Sequence, residues 1–328
     1  MGSKFLSLDE ASKVLTGTGN FLVAADERVL TKLPKGNWIG GTIPYFVADQ
    51  GGTINQDKVF ITEMPAVAKL VEITKFSESD IKAVYSKIPR NGFGVIILPA
   101  FSPIHLSFSI NAPNFEKFAV SPLVGWISGL HLGELGKKKP LVMNGKTGAV
   151  LDADAIVMYF ELPKDHVCDL GIVNIFKQGN KESFEFLESG FSAKDVLISG
   201  KKTNFCDFLI ENKVDVKNPL VANYAGAMIN VSFQSIDEKA KVVHFYAPVY
   251  KGAEYKLADA VPNYVESFTK SLPKDAHNIA FSCNCILNFL YSELEGKKTG
   301  SITGPITFGE VAYQLLNQTM VYLTIEKI

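Results

Sequence analysis

Five histidines and four cysteines are the side chains of this 328-residue sequence best suited to bind a metal or move a proton, and their spacing limits what they can do. Cys283 and Cys285 form the one cysteine pair, in FSCNCILNF. A single C-x-C supplies two ligands where a closed zinc site needs four, so a strand-to-helix junction is the simpler reading. Cys168 and Cys206 stand alone in apolar surroundings and read as buried thiols. His131 lies in GWISGLHLGELG with Glu134 three residues on, a spacing that on a helix sets both on one face. No partner ligands stand nearby, which favours a polar contact at a helix end or turn. His105, His166, His244 and His277 stand alone and support no constellation. The Walker loop, G-x-G-x-x-G, H-E-x-x-H and G-x-S-x-G are all absent, so no catalytic residue and no metal site is assigned.

Two glycine-rich stretches carry more information. In GPITFGE, Gly304 to Glu310, two glycines bracket a short apolar run and permit close backbone approach. Glu310 follows, with EVAYQLL reading as the start of a helix whose dipole favours an acid there. The residues alone describe a turn, or a pocket rim that could clamp a small ligand bearing both charges. KGNWIGGTIPYF, Lys35 to Phe46, poses the same choice: Pro34-Lys35-Gly36 reverses the chain, and Gly40-Gly41 allows tight packing.

The elements that must position these residues alternate at both ends of the chain. FLVAA is a buried strand, DERVLTKL a helix with acids in its first turn, NWIGGTI and DKVFITEM strands, and LSLDEASKVL (Leu6 to Leu15) a short helix. SESDIKAVYSKIPRNG reads as the clearest helix, with Ser77 and Asp80 as its cap and Ile81, Val84, Tyr85 and Ile88 on one face. FGVIILPAF is a strand covered on both faces. From about Gly148 to Val249 the runs AIVMYFEL, LGIVNIF, SFEF, GAMINVSF (Gly226 to Phe233) and VVHFYAPV suggest an antiparallel meander, with TNFCDFLIEN as its helix and KQGN and SIDEKAK as turns. Then VPNYVESFTKSL is a helix, NIAFSC a strand, NCILNFLYSEL a helix and MVYLTIEKI a final strand. The expected fold is mixed α/β, with helices on the outer faces of its sheets. One unit with two lobes is expected, about 1–147 and 148–328.

Composition narrows the partners. Hydrophobic residues at 47% and charged residues at 20% predict a chain folded throughout. A formal net charge of −1 without a basic stripe argues against nucleic acid. No apolar run approaches a membrane span and the N-terminus lacks a signal peptide, so a soluble cytoplasmic protein is expected.

The run from NIAFSC to GPITFGE resembles the end of the FIST domain (F-box and intracellular signal transduction), its pattern met by Ser282, Cys283, Gly304, Thr307, Gly309 and Glu310. The run FLVAADERVLTKLPKGNWIGGTIPYF resembles that domain's opening through Gly40, Gly41 and Thr42. Over nearly its full length the chain is similar to FIST-related, uncharacterised bacterial proteins carrying KGNWIGGTIPYF, SPLVGWISG, IVNIFKQG and GPITFGE in this order. The resemblance implies a stand-alone sensory protein that binds a small molecule, with an amino acid as the proposed class, and signals to a partner protein in trans. It further implies a pocket with Trp38, Gly40, Gly41 and Thr42 on one wall and Cys283, Gly304, Thr307, Phe308, Gly309 and Glu310 on the other. One FIST branch binds haem; here His131, His105 and the cysteine pair are candidate haem ligands by residue type alone, and no cofactor is assigned. The alternatives are an enzyme using Cys283 as nucleophile with Glu310 as acid or base, and an interaction protein with an exposed patch at Trp38, Tyr45 and Phe46. Oligomeric state is not legible.

Overall fold

A computed structural model describes residues 2–224, 227–273 and 278–328. Gly226 and His277, both read from the sequence above, lie outside them. The fold is mixed α/β, with several mixed sheets and few helices, strand outweighing helix by 45% to 17%.

The chain divides into two compact units. The first comprises the residues up to Val173 together with Leu272–Leu315 and Met320–Ile328; the second comprises Asn174–Ser271 and Leu316–Thr319. The division therefore falls at Val173 and not near residue 147. The reason is pairing: Ala155–Glu161 lies between Gly92–Pro99 and Lys69–Phe76, which ties it to the N-terminal part of the chain.

Three six-stranded sheets build the first unit. In one, Phe21–Ala25 runs parallel to Trp38–Thr42 and antiparallel to Lys58–Glu63. In the next, Gly92–Pro99 runs parallel to Leu123–Ser128, with Ala155–Glu161 antiparallel on its far side. The third joins His166–Val173, Met320–Lys327, Ile279–Cys285, Gly304–Thr307, Tyr45–Ala48 and Gly51–Ile54. Each of these two parallel pairs is crossed by a helix, as is a third, Ile279–Cys285 with Gly304–Thr307, through helix Ile286–Tyr291. Asp26 caps Glu27–Leu30 in the first crossover and Ser102 caps Pro103–Asn111 in the second. The second strands of the two pairs carry matching sequences, Trp38-Ile39-Gly40-Gly41 and Trp126-Ile127-Ser128-Gly129.

The middle of the chain is antiparallel, as its alternating runs suggest. In the second unit, a six-stranded and a three-stranded sheet bury Phe184, Phe186, Phe205, Phe233, Phe245 and Tyr255 together. The turn at Glu238–Lys241 makes a hairpin of Phe233–Asp237 and Val242–Val249. KQGN makes none, because Gln178–Phe186 starts inside it and pairs within the second unit.

Two expected helices are absent. After Ser77 the hydrogen bonds run mostly from i to i−3, through a 3₁₀ turn at Ile81–Ala83 and on to Ile88. Ile81, Val84, Tyr85 and Ile88 are all buried as the apolar face requires. The Val84 carbonyl accepts from the Tyr159 hydroxyl at 2.9 Å, and Tyr85 donates its hydroxyl to the Tyr313 carbonyl. Tertiary bonds thus replace the regular helical ladder. EVAYQLL is also extended, as strands Glu310–Ala312 and Gln314–Leu316 separated by Tyr313 at φ 62°. Shorter differences follow the caps: the first helix is Leu8–Leu15, capped by Ser7 with Glu10 answering, and Leu6 belongs to the strand before it.

Trp38, Tyr45 and Phe46 are buried, so no exposed aromatic patch forms there. Trp38 sits at 0% exposure in a cluster with Leu15, Leu30 and Met143, and its indole N–H donates to Pro34 O at 2.9 Å. Trp38→Ala is expected to lower unfolding free energy by about 3–5 kcal/mol, the usual cost of emptying a large core site. Urea denaturation measures it, and a loss below about 1 kcal/mol would show that the indole is not a core element.

Candidate functional site

The sequence places its glycine-rich stretches far apart, and the first unit brings them together. Gly304 pairs with Val47 and Pro305 with Phe46, so GPIT lies directly against the continuation of WIGGT. Strand Leu123–Ser128 provides a second bridge. Trp126 opposes Glu310 in antiparallel register, while Gly129 N donates to Thr42 O at 2.7 Å.

What meets there is packed side chain. A Cβ on Gly41 would lie 2.8 Å from Ile97 Cγ2 and 2.9 Å from Trp126 Nε1. One on Gly304 would lie 2.4 Å from the Ser282 carbonyl oxygen. These distances are below van der Waals contact, so both glycines serve close approach of protein to protein. Phe308 fills the space against Gly129, and the Phe101 ring meets it edge-on at 6.1 Å. Gly40 adjoins Leu30 and the Trp38 ring. Thr42 is tied to Leu141, accepting from its N–H at 2.8 Å through the hydroxyl. The Thr307 hydroxyl lies 3.0 Å from Gly309 O and 3.3 Å from Asn284 O.

Glu310 is fully buried within its strand and does not open a helix. Cys283 is likewise inside strand Ile279–Cys285, two residues before its end, with its Sγ 3.4 Å from Gly125 O. Burial pushes its thiol well above the ordinary range, and the Glu310 charge pushes the same way. A nucleophilic cysteine needs the thiolate, which these surroundings oppose.

The free space beside these motifs is small. One recess, bordered by Ser282, Cys283, Thr303 and Gly304, leaves about 10 Å³, room for about one water molecule. A second, at the carboxyl ends of strands Phe21–Ala25 and Trp38–Thr42, is bordered by Asp26, Thr42, Gly129, Glu134 and Lys138 and is as small. Lys138 crosses it, 2.9 Å from Glu134, and that contact holds the Glu134 carboxyl below its usual range. His131 caps the turn at Leu132–Glu134, accepting from Gly133 N–H, and stacks on Tyr45.

A roomier cleft lies elsewhere on the first unit, with about 220 Å³ of open volume. Its polar lining is Glu63, His166, Asn278 and Lys327; its apolar lining includes Pro65, Val67, Ile279, Ala280 and Ile325. Glu63 ends strand Lys58–Glu63, opposite Gly2, and its carboxylate makes no ion pair or hydrogen bond among the described residues. His166 and Lys327 are directly opposite each other on adjacent antiparallel strands, which sets both side chains on one face. Asp165 pairs with both, at 2.9 Å from His166 Nδ1 and 3.4 Å from Lys327 Nζ. Asn91 clamps the turn below them, its side-chain amide donating to Leu162 O and Pro163 O at 3.1 and 2.8 Å.

The sequence reading missed this cleft because His166 has no ligand partner within its own stretch. The one local signal was the Asp165-His166 dipeptide; Glu63 and Lys327 come from strands more than a hundred residues away in either direction. Among the described residues no three His, Cys, Asp or Glu side chains gather to hold a metal ion. No described helix is long and apolar enough to cross a membrane.

The chain belongs to the DUF6976 family of unknown function. The family's model matches residues 6–326, so it spans both units and every residue of the cleft except Gly2 and Lys327. No curated protein matches the chain, and no solved structure matches it.

Two outcomes follow from this geometry. Cys283 should resist a thiol reagent in the native protein at neutral pH, while denaturant releases all four thiols. Rapid native labelling of Cys283, read by peptide mass, would contradict its burial. His105, buried in helix Pro103–Asn111, is pulled down from 6.5 to about 4 by burial. The unfolded chain therefore takes up this proton first, and stability falls as pH drops from about 6.5 to 4, by at most about 3 kcal/mol. Denaturation midpoints over that range should show the slope, and His105→Phe should flatten it.

Proposed function

We propose that the chain is a stand-alone small-ligand-binding protein of sensory type, and that its ligand is an amino-acid-class zwitterion held in the cleft of Glu63, His166, Asn278 and Lys327. The observation that carries this reading is a carboxylate, unpaired among the described residues, sharing about 220 Å³ with an imidazole, an amide and an ammonium. A ligand ammonium has Glu63 to meet it. A ligand carboxylate has Lys327, His166 and the Asn278 amide. An engineered cavity of about 150 Å³ accepts benzene, so the open volume suits a molecule of amino-acid size.

The FIST-like pattern at both ends of the chain supports the sensory half of the reading and leaves the glycine motifs a structural part, holding together the sheets that frame the cleft. Cys283, sealed and protonated, weakens the enzyme alternative. Signalling would then pass to a partner protein in trans through a ligand-dependent shift between conformations, which requires the ligand to favour one of them.

Calorimetric titration and thermal melting with the standard α-amino acids test the proposal, with acetate and methylamine as single-charge controls. One or more amino acids should bind and raise the melting temperature, while neither control does so at equal concentration. Glu63 is exposed, so Glu63→Gln should leave the fold intact and weaken binding about tenfold, or about 1.4 kcal/mol. Absence of binding across the whole panel would refute the reading.

A further inference from the structure

Asp165 stands in an unusual relation to the cleft: it grips two of the cleft's donors without itself lining the cleft. Its Oδ1 lies 2.9 Å from His166 Nδ1 and its Oδ2 lies 3.4 Å from Lys327 Nζ. The backbone beneath is fixed, because Ile328 N–H donates to Asp165 O at 2.9 Å and His166 N–H donates to Pro163 O at 3.0 Å. The side chain above is half exposed, as is much of Lys327. A rigid turn thus presents a carboxylate that can exchange its partners by side-chain rotation alone.

Any carboxylate entering the cleft would seek the same two groups, the His166 imidazole and the Lys327 ammonium. We infer that Asp165 is an internal surrogate for the anionic group of the ligand, competing with it for His166 and Lys327. The inference rests on the cleft being the ligand site. Contact with His166, reinforced by Lys327, holds the Asp165 carboxyl below its usual range, so the surrogate stays charged near neutral pH. The Lys327 contact is of the exposed kind, weak enough for a ligand to displace, while the His166 contact is half-sheltered, with the imidazole 19% exposed. Specificity follows: a ligand must outcompete a resident carboxylate, and a lone carboxylate gains little over Asp165. A zwitterion gains the extra contact at Glu63.

The opposite role is also definite and distinguishable. If Asp165 only orients His166, removing its charge weakens binding. Titration of wild type, Asp165→Asn, Lys327→Met and the double variant with L-leucine, L-serine and acetate separates the two. Competition predicts that Asp165→Asn tightens binding of an amino-acid probe about three- to tenfold, a gain that shrinks at high salt. It also predicts that the gain largely disappears in the Lys327→Met background, as coupling through a shared partner requires. Wild-type binding that is unchanged or weakened by Asp165→Asn overturns the inference and leaves the ligand site standing. Failure of both wild type and Asp165→Asn to bind any probe overturns the inference and the site together.

Discussion

The close approach of three sheets along strand Leu123–Ser128 is the constraint from which the first unit is built. On that strand Trp126 meets Gly41 from one sheet, stacks on Phe281 from another at 5.4 Å between ring centroids, and opposes Glu310 within its own. No side chain larger than hydrogen fits at Gly41 without moving Ile97 or the indole. The glycine is therefore part of the packing of Trp126, much as a hole is part of its knob. Because interiors are close-packed and respond to single methyl groups, this contact fixes sheet spacing throughout the unit.

Such packing redistributes where chemistry can occur. Cys283, Thr307 and Glu310 look reactive by type, yet each lies in a strand whose neighbours fill the available space. Desolvation then works against the charged thiolate that catalysis would need. Polar groups able to meet a ligand occur where a strand leaves the core, and the cleft is made of such ends. Glu63 follows the buried run Val59 to Thr62, and Lys327 lies beyond buried Leu323 near the end of the chain. The apolar middle of each strand fixes its position; the polar end takes up the position so fixed.

The same distinction explains what could be read from the sequence. Continuous apolar runs such as FGVIILPA and FLVAA were legible as strands because burial on both faces leaves no other pattern. That WIGGT and GPITFGE come close was an expectation from resemblance, and the pairing of Gly304 with Val47 now sets them beside each other. Their role was not legible, since a glycine that admits a ligand and a glycine that admits a neighbouring indole have the same letter. SESDIKAV showed the right buried face and the wrong local geometry, because the Tyr159 hydroxyl that takes the Val84 carbonyl and the Tyr313 carbonyl that anchors the Tyr85 hydroxyl both belong to distant segments. The repeated Trp-Ile-x-Gly of the two parallel pairs was visible in the sequence and becomes meaningful only when both strands are seen to meet at Thr42 and Gly129. The cleft was illegible for a topological reason: its acid, its imidazole and its ammonium reach it from segments separated by most of the chain.

Strand Ile279–Cys285 connects these two levels. Its first residues, Ile279 and Ala280, line the cleft; Phe281 stacks on Trp126; and Cys283 reaches the carbonyl of Gly125. Strand Met320–Lys327 runs beside it and carries Lys327 to the cleft while burying Val321 and Leu323. A ligand seated on these strands would push against elements that cannot slide independently, because a one-residue slip would turn every buried side chain to the opposite face. Movement on the proposed binding would be confined to side chains at the rim, Lys327 and Asp165 foremost, or to displacement of whole sheets. The glycine-lined contact at Trp126 disfavours the second, since any shift of a sheet opens a void where packing is now complete. On the proposed reading, a response to ligand would begin with an exchange of ion-pair partners at the cleft, on a framework too tightly packed to absorb it silently.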